Sequence, residues 1–480
     1  MQRRKFIQQT SFTAAALAIN PFVKAHQVNT SFPIVRTPFE QRKFNSTTVE
    51  ATITLIKKSI GNKELAWMFE NCYPNTLDTT VDFEIINGQP DTYVITGDID
   101  AMWLRDSTAQ VTPYLSLCKQ DKDLQMLIKG VINRQVKCIL LDPYANAFFK
   151  DSTKISDWKD DKTDMKPGIH ERKWEIDSLC YPIRLSYLYW KETNDNTIFT
   201  EDWYKAMLLV LQTFREQQRI ENKGPYSFQR TTSWATDGVA IGGYGYPAKS
   251  NGLIYSMFRP SDDATIFPFL IPSNYFALQI LDYLLEIGKL NYNYKVPDSL
   301  ANKIYHQAQK LFETLQGVLK QEAIIKHPNY GTIYAYEVNG YGSYNLMDDA
   351  NIPSLLAMPY LCPKFYNKEV YSNTRKILLS HENPFFFKGK VGEGIGGPHC
   401  GIDMIWPLSI IMRGLTSNGD NEIKACLKQL QTTHANTGFM HESFHKDDAT
   451  NFTRKWFAWA NTLFGEFILK VYKERKYLLG

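Results

Sequence analysis

The chain of 480 residues is 44% hydrophobic and 22% charged, a composition that is typical of a globular protein and excludes a disordered one. Its formal net charge of +4 is spread along the sequence without a basic cluster beyond the N-terminus, which argues against a nucleic-acid ligand. Aromatic residues make up 14%, a content that suits a large core and also suits sugar binding, because sugar C–H faces stack on aromatic rings. Seven scattered cysteines without any Cys-x-x-Cys pair indicate buried thiols, with neither a zinc signature nor a disulfide framework.

The first 25 residues have the pattern of an export signal. Basic residues at 3–5 precede an apolar stretch at 12–19, and Val-Lys-Ala at 23–25 offers a small-residue cleavage site. The paired arginines favour a twin-arginine signal, and an ordinary secretory signal is the alternative. The apolar stretch is too short to anchor the chain in a membrane, so we expect a periplasmic or secreted protein.

After a polar tail at residues 26–46, a single helical domain is predicted for residues 47–480. Two short strands are predicted, at 80–86 and 93–96. Apolar residues recur at helical spacing in about a dozen segments. These predicted helices are 50–58, 64–72, 107–118, 121–141, 177–191, 201–220, 273–288, 298–320, 352–360, 368–380, 403–415, 421–432 and 455–472.

Long loops connect these helices at 142–174, 222–272, 327–351 and 383–402. Loops of that length inside a compact fold are usually functional. A dozen helices with such loops favour an all-α fold of paired helices in a ring, an (α/α)6 barrel with minor β elements and a site at one mouth. An α-solenoid is the alternative, although the sequence shows no repeat of fixed period.

Residues 255–264, Tyr-Ser-Met-Phe-Arg-Pro-Ser-Asp-Asp-Ala, place two adjacent carboxylates at the edge of an apolar run. Repulsion between Asp262 and Asp263, together with partial burial, would keep one of them protonated, as a general acid requires. The alternative is a helix cap, because Ser-Asp-Asp before an apolar run is good capping chemistry.

Residues 96–107 hold the densest polar and aromatic cluster of the chain. Its members Asp98, Trp103, Arg105 and Asp106 could stack on a sugar ring and bind neighbouring hydroxyls. The alternative is structural: Arg105 and Asp106 would form an ion pair, and Asp106 would cap a helix.

Two further segments carry acids and histidines. The glycine-rich loop from Glu393 to His399 lacks the pattern of a phosphate loop and is either a rim that contacts a polar ligand or a plain loop. Between Phe439 and Phe444, Glu442 is flanked by aromatic residues, and its spacing to the nearby histidines disfavours a metal site. Two isolated carboxylate sites without Gly-x-Ser-x-Gly favour glycoside hydrolysis by an acid and a base or nucleophile.

Taken together, residues 93–114, 258–264, 345–353, 393–399 and 440–460 resemble glycoside hydrolase family 125. The resemblance covers roughly residues 48–475, and the motifs occur in the same order. It implies an (α/α)6 barrel and a metal-independent exo-α-1,6-mannosidase. Such an enzyme would release terminal mannose from N-glycan or mannan oligosaccharides with inversion.

The resemblance also implies roles for individual residues. An aspartate of the pair Asp262 and Asp263 would be the general acid, and Glu442 would be the base that activates water. Analogy with glucoamylase-like barrels favours Asp262 as the acid. Inversion requires room for the water, so we expect the acid and the base about 6.5–9.5 Å apart. The remaining implied residues line the subsite of the terminal mannose or contact ligand further out: Asp98, Trp103, Arg105 and Asp106, then Arg259, Glu393 and His399. No metal or cofactor is implied, and we expect a monomer that acts on a mannose-containing oligosaccharide.

One loop, residues 236–249, departs from the family pattern. The resemblance therefore predicts no residues for the subsite on the leaving-group side. Other classes of function compete with the mannosidase. They are another inverting (α/α)6 glycosidase such as a glucosidase or trehalase, a carbohydrate-binding protein without catalysis, and a polysaccharide lyase on the same scaffold.

Overall fold

Fifteen α-helical segments occur in the part of the chain that the computed structural model describes, residues 32–290 and 298–480. They are α1 (Thr47–Lys57), α2 (Lys63–Cys72), α3 (Asn75–Thr79), α4 (Leu104–Val111), α5 (Lys122–Leu141), α6 (Ile176–Thr193), α7 (Glu201–Gln217), α8 (Ala240–Gly243), α9 (Ile271–Leu290), α10 (Asp298–Glu322), α11 (Met358–Leu361), α12 (Lys368–Leu378), α13 (Pro407–Leu415), α14 (Asp420–Thr433) and α15 (Ala458–Arg475).

Short strands occupy the loops between the helices and form small antiparallel sheets. They are β1 (Val81–Ile86), β2 (Gln89–Val94), β3 (Met102–Trp103), β4 (Ala147–Phe148), β5 (Ile169–Glu171), β6 (Phe269–Leu270), β7 (Ile324–His327), β8 (Gly331–Tyr334), β9 (Glu337–Val338), β10 (Tyr344–Asn345), β11 (Phe386–Lys388), β12 (Glu393–Ile395), β13 (Met404–Ile405), β14 (Ser443–His445) and β15 (Asp448–Thr453).

The helices form the (α/α)6 barrel that the sequence predicts. Helices α4, α6, α9, α11, α13 and α15 form the inner ring, in which α15 packs on α4, α4 on α6, α6 on α9, α9 on α11, and α13 on α15. The outer ring consists of the nearest helix of at least ten residues that precedes each inner helix in the chain: α2, α5, α7, α10, α12 and α14. Because α15 also packs against α2, the last helix pair closes the ring on the first.

The distribution of apolar residues in the sequence distinguishes the inner helices from the outer ones. The inner helix α6 is buried on nearly every face from Ile176 to Tyr187, as expected for a helix surrounded by others. The outer helices carry a polar face, and several begin at a residue whose side chain caps the helix. Asp121 accepts a hydrogen bond from the Leu124 amide at 2.9 Å at the start of α5, and Thr200 caps α7 in the same way.

The inner helices also gather the loops at one mouth. The loops that lead into α4, α6, α9, α13 and α15 contain, in that order, Asp98, Glu171, Asp262, His399 and Glu442. These loops meet at one end of the barrel, where Asp262 lies 3.6 Å from Arg105, His399 lies 3.9 Å from Asp263, and Arg454 binds Asp98. The contacts described below confirm that these loops touch one another.

Two predicted helices differ from the structure. The predicted helix at 352–360 is wrong except at its end, where α11 begins only at Met358. Pro353 lacks a backbone donor, and the turn before α11 is held instead by Asp348, which accepts hydrogen bonds from the amides of Leu355 and Leu356. In the predicted helix 107–118, α4 ends at Val111 and gives way to a 3-10 helix that contains Pro113.

Residues 35–480 form one compact unit. The predicted export signal, residues 1–25, and residues 26–31 of the predicted tail lie outside the described residues. Further along the predicted tail, Arg36 donates hydrogen bonds to Asp78 at 2.7 Å and to Glu50 at 3.0 Å. No helix in the described ranges is long and apolar enough to cross a membrane.

Candidate active site

The acid motif forms a tight turn ahead of α9. Within it the Arg259 amide donates to the Asp263 carbonyl at 2.8 Å, and the Asp262 amide donates to the Arg259 carbonyl at 2.9 Å. Asp262 adopts a φ of 65°, a left-handed conformation that is uncommon outside glycine. The helix-cap alternative for this pair is wrong, because α9 begins only at Ile271. Backbone strain of this kind clusters at functional sites, where it fixes the direction of a side chain.

The Asp262 carboxylate reaches a charged cluster at the start of α4 and α6. Its Oδ1 accepts a hydrogen bond from Asn146 at 3.2 Å and lies 3.6 Å from Arg105 Nη2. Lys173 Nζ donates to the backbone carbonyl of Asp262 at 2.9 Å. Burial and the charge of Glu171 oppose ionisation, but Lys173 and Arg105 outweigh them and lower the pKa of Asp262.

Asp262 lies against a second buried carboxyl group, that of Glu175. Glu175 is fully buried and is hydrogen-bonded to Asp262, and burial together with the charges of Asp262 and Asp177 raises the pKa of Glu175 well above its ordinary value. Burial likewise raises the pKa of Asp177, to about 6. In such a cluster the proton belongs to the pair rather than to either residue. The raised pKa of Glu175 and the lowered pKa of Asp262 favour a proton on Glu175, beside the Asp262 carboxylate.

Arg105 is the cation that keeps this cluster together. Its Nη1 donates to Glu175 at 2.5 Å and to Asp177 at 3.2 Å, and its Nε lies 3.4 Å from the Asp106 carboxylate. Both Arg105 and Asp106 are buried. One guanidinium thus faces four carboxyl groups. The pKa values of Asp106, Glu175 and Asp177 are raised, chiefly by burial, whereas that of Asp262 is lowered.

Asp263 has a different environment from its neighbour. Its side chain is 2% exposed and accepts hydrogen bonds from Thr236 at 2.7 Å and from Ser261 at 3.0 Å. The Asp262 side chain, by contrast, is 15% exposed. His399 Nδ1 lies 3.9 Å from Asp263 Oδ1, which joins the acid motif to the glycine-rich loop ahead of α13. Asp263 is therefore held by hydroxyl groups, and Asp262 is the member of the pair that reaches solvent.

Glu442 lies just before β14, and two strands and a loop surround it with donors. Arg454 Nη1 is 3.5 Å from Oε1, and the Cys400 thiol is 3.5 Å from Oε2. Burial opposes ionisation of Glu442, but the charges of Arg454 and His399 and the hydrogen bond from Thr453 lower its pKa below the ordinary value. This carboxylate is ionised at neutral pH and its side chain is 12% exposed, the state that a general base needs.

Arg454 connects the base to the cluster at 96–107. It donates to the Thr96 carbonyl at 2.9 Å and to the Asp98 carboxylate, while its other terminal nitrogen faces Glu442. Asp98 is 53% exposed, whereas the Trp103 ring is 6% exposed and packs edge-on against His170. Asp98 and Glu442 therefore flank one buried guanidinium at the mouth.

His441 lies beside this group in a neutral form. Its ring stacks on Phe452 with centroids 3.8 Å apart, and its Nδ1 is 3.2 Å from the Arg454 carbonyl. Burial lowers the pKa of His441 to about 4, so the ring is uncharged near neutral pH. We infer that it supports the backbone of Arg454.

The structure does not bring every predicted residue into contact with this cluster. Arg259 is buried and donates to Glu337 at 2.7 Å. Glu393 accepts a hydrogen bond from Arg413 of α13 at 2.9 Å and forms an ion pair with Lys388 of the neighbouring strand β11. The side chains of these two residues therefore form ion pairs outside the Asp262–Glu442 group, although the Arg259 backbone belongs to the acid motif.

Sequence reasoning missed several members of the site, chiefly Glu171, Lys173, Glu175, Asp177 and Arg454. The first four fall in the run Glu-Arg-Lys-Trp-Glu-Ile-Asp at 171–177, five charges in seven positions. That density at the end of one of the long loops was the available signal. The sequence around Arg454 contained no such signal, because its acidic partners Glu442 and Asp98 are 12 and 356 positions away in the chain.

Among the described residues, no group of three or more His, Cys, Asp or Glu side chains could hold a metal ion. The mouth instead presents Glu442, whose pKa is lowered, and the pair of Glu175 and Asp262, in which the pKa of Glu175 is raised. An acid and a base of this kind, with charges set by fixed neighbours, are what hydrolysis of a glycoside by proton transfer requires.

Comparisons with known proteins agree with this chemistry. Residues 62–469 match the metal-independent alpha-mannosidase family, GH125. The chain is 40% identical over 471 residues, 93% of this chain and 90% of the other, to the meiotically up-regulated gene 157 protein of Schizosaccharomyces pombe. It is 39% identical, with a TM-score of 0.85 over 90% of this chain and 100% of the other, to a Streptococcus pneumoniae structure from that group of alpha-mannosidases, a non-productive substrate complex with alpha-1,6-mannobiose.

A glucoamylase from Saccharomycopsis fibuligera shares the fold alone, with 12% identity and a TM-score of 0.50 over 91% of this chain and 98% of the other. The barrel is therefore common to glycosidases of different specificity. The family match covers most of the chain, and the chain belongs to glycoside hydrolase family 125, the metal-independent alpha-mannosidases.

Proposed function

We propose that the protein is an exo-acting α-1,6-mannosidase that releases terminal mannose from mannose-containing oligosaccharides with inversion. One observation carries the mechanism: Arg454 faces Glu442 and lowers its pKa, while Glu175, whose pKa is raised, lies against Asp262. The linkage rests on the 39% identical structure that contains alpha-1,6-mannobiose. Two carboxyl sites with opposite protonation are the requirement of an inverting glycosidase.

Asp262 acts as the general acid in this proposal. It delivers the proton of the Asp262–Glu175 pair to the glycosidic oxygen as the bond to the anomeric carbon breaks. Arg105 holds both carboxyl groups in position and stabilises the negative charge that remains on the pair after transfer. Asp263 positions the acid, because its hydroxyl partners Thr236 and Ser261 fix the turn.

Glu442 acts as the general base. It removes a proton from a water molecule that attacks the anomeric carbon from the face opposite the leaving oxygen, so the first product is β-mannose. The water must fit between the base and the sugar. We therefore expect the Asp262 and Glu442 carboxyl groups to lie about 6.5–9.5 Å apart in the substrate complex.

The terminal mannose would lie among Asp98, Trp103, Arg105, Asp106 and His399. Asp98 has the accessible carboxylate and would accept hydrogen bonds from sugar hydroxyls. Arg105 and Asp106 are buried, so their part is to shape the pocket and fix its charge. Arg259 and Glu393, given their ion pairs, would act only through the loops they hold.

The test is hydrolysis of α-1,6-mannobiose in the presence of EDTA, beside maltose, isomaltose and trehalose. We expect mannose release that EDTA does not change and no glucose from the other three. Hydrolysis of a glucose disaccharide with mannobiose intact would establish the competing glucosidase or trehalase function. Absence of turnover on all four would favour a binding protein.

We also propose that the protein is exported, on the basis of the basic and apolar pattern of residues 3–25. Fusion of residues 1–30 to a reporter that is active only after export would test this. Replacement of Arg3 and Arg4 by Lys should abolish a twin-arginine signal and leave an ordinary secretory signal working.

A further inference from the structure

Residues 230–237, here called the Trp234 loop, form a surface segment whose two ends are buried in the charged cluster of the site. At one end Arg230 donates to Asp161 at 2.6 Å and to Glu171 at 2.9 Å, and its guanidinium lies 3.7 Å from the centre of the Trp158 ring. The Arg230 side chain is 3% exposed. This end of the loop is therefore fixed.

The other end is tied directly to the acid motif. Asp237 accepts a hydrogen bond from Lys173 at 2.5 Å, and Lys173 also holds the backbone of Asp262. Thr236 donates its hydroxyl proton to Asp263 and accepts the Ala264 amide, both at 2.7 Å. The loop thus flanks the turn that presents the proposed acid.

Between these anchors the chain is exposed. Residues 231–235, Thr-Thr-Ser-Trp-Ala, are all exposed and carry no charge, and the Trp234 side chain is 50% exposed. Within the described residues the indole has neither a ring partner nor a cation–π partner. A large aromatic ring that is displayed on a rigid support and surrounded by hydroxyl side chains is a surface suited to a sugar ring.

The anchoring also fixes which side of the scissile bond the loop faces. A general acid lies beside the leaving oxygen, and the Trp234 loop contacts the acid motif through Thr236. The described contacts of this loop include none with Glu442 or Arg454, the base side of the mouth. Trp234 precedes Thr236 by two residues and is exposed, whereas the turn that Thr236 contacts is buried.

We propose that Trp234 is a specificity-determining residue, a stacking platform for the third sugar of the substrate. Counted from the terminal mannose, the second sugar carries the leaving oxygen, and the third is the unit beyond it. This inference rests on the proposed function. Because ion pairs and hydrogen bonds hold both ends of the loop, stacking does not require the loop to become ordered, and the binding energy is kept. Longer α-1,6-mannosides are then better substrates than the disaccharide, which occupies only the two positions at the scissile bond.

The test compares kcat/KM for α-1,6-mannotriose and α-1,6-mannobiose. Wild-type protein should prefer the trisaccharide, and Trp234→Ala should reduce the trisaccharide-to-disaccharide ratio by about three- to ten-fold, the worth of one aromatic contact. Trp234→Phe should restore most of the ratio. Phe39→Ala is the matched control, because Phe39 is 56% exposed and lies outside the site, and it should leave the ratio unchanged.

The outcomes separate the two proposals. An unchanged ratio in Trp234→Ala, or equal losses on both substrates, would overturn the platform while leaving the mannosidase proposal intact. A wild-type protein without preference for the trisaccharide would also overturn it. If neither mannoside is hydrolysed, the proposed function fails and the platform fails with it.

Discussion

Arg454 Nη1 lies 3.5 Å from Glu442 Oε1, and the same guanidinium binds Asp98. This contact sets the charge of the proposed base, because burial alone would raise the pKa of Glu442 and the charge of Arg454 reverses that effect. The base and the sugar-binding carboxylate thus depend on one cation.

The contact predicts how activity depends on pH. A base must be ionised, so activity is lost as pH falls through the pKa of Glu442, which lies below the ordinary value of 4.5. In Arg454→Met that pKa rises, and the acid limb of the kcat/KM profile moves to higher pH. Arg413→Met, which removes a cation from Glu393 and Glu422 instead, should leave the limb in place. An unshifted limb in Arg454→Met would contradict this account of the base.

The pair of Glu175 and Asp262 should determine the alkaline limb of the kcat/KM profile. In Glu175→Gln the amide can donate a hydrogen bond to Asp262 but cannot supply its proton, and Arg105 then favours the ionised acid. The alkaline limb of kcat/KM should move to lower pH, because the acid must be protonated. Ser178→Ala removes only one hydrogen bond to Glu175 and is the control. The shared-proton assignment fails if the two variants have the same alkaline limb as the wild type.

The two adjacent aspartates should respond differently to substitution. Asp262→Asn should reduce turnover of mannobiose by about 10²- to 10⁴-fold. The loss should be much smaller on an α-mannoside with a dinitrophenyl leaving group, which needs no protonation. Asp263→Asn disturbs the hydrogen bonds from Thr236 and Ser261 and should lower the free energy of unfolding by about 1–3 kcal/mol. If Asp263→Asn alone shows the leaving-group dependence, Asp263 is the acid.

Helical periodicity and the family resemblance predicted the barrel, and the structure confirms it. The catalytic roles of the two carboxylate motifs stay predictions. Helical periodicity identified most helices, because inner and outer helices keep long apolar stripes. Asp262 and Glu442 were recognisable because each lies in a short motif whose members are close in the chain.

Other features depended on contacts that are distant in sequence. Glu175 looked like one acid among several, and only the packing of α6 against α4 places it between Arg105 and Asp262. The choice of Asp262 over Asp263 depends on the left-handed backbone of Asp262 and on the hydroxyl groups of Thr236 and Ser261, which bind Asp263. The predicted helix at 352–360 was wrong because its apolar residues are buried in a turn, where Asp348 replaces helical hydrogen bonding.

Loss of the base is the simplest chemical test of the site. Glu442→Gln should reduce kcat by about 10²- to 10⁴-fold on every α-mannoside, because activation of water is needed whatever the leaving group. The melting temperature should change little. Glu393→Gln makes the same substitution in an ion pair with Arg413 and should retain turnover. A Glu442→Gln variant with near wild-type turnover would remove Glu442 from the mechanism.

In the proposed mechanism Asp262 and Glu442 act on opposite faces of the sugar. The anomeric configuration of the first product distinguishes this inverting mechanism from a retaining one. Proton NMR of α-1,6-mannobiose hydrolysis, recorded faster than mannose mutarotates, should show β-mannose appearing first and the α anomer only later. Appearance of α-mannose first would mean retention, with a covalent intermediate in place of a base-activated water, and would contradict the account.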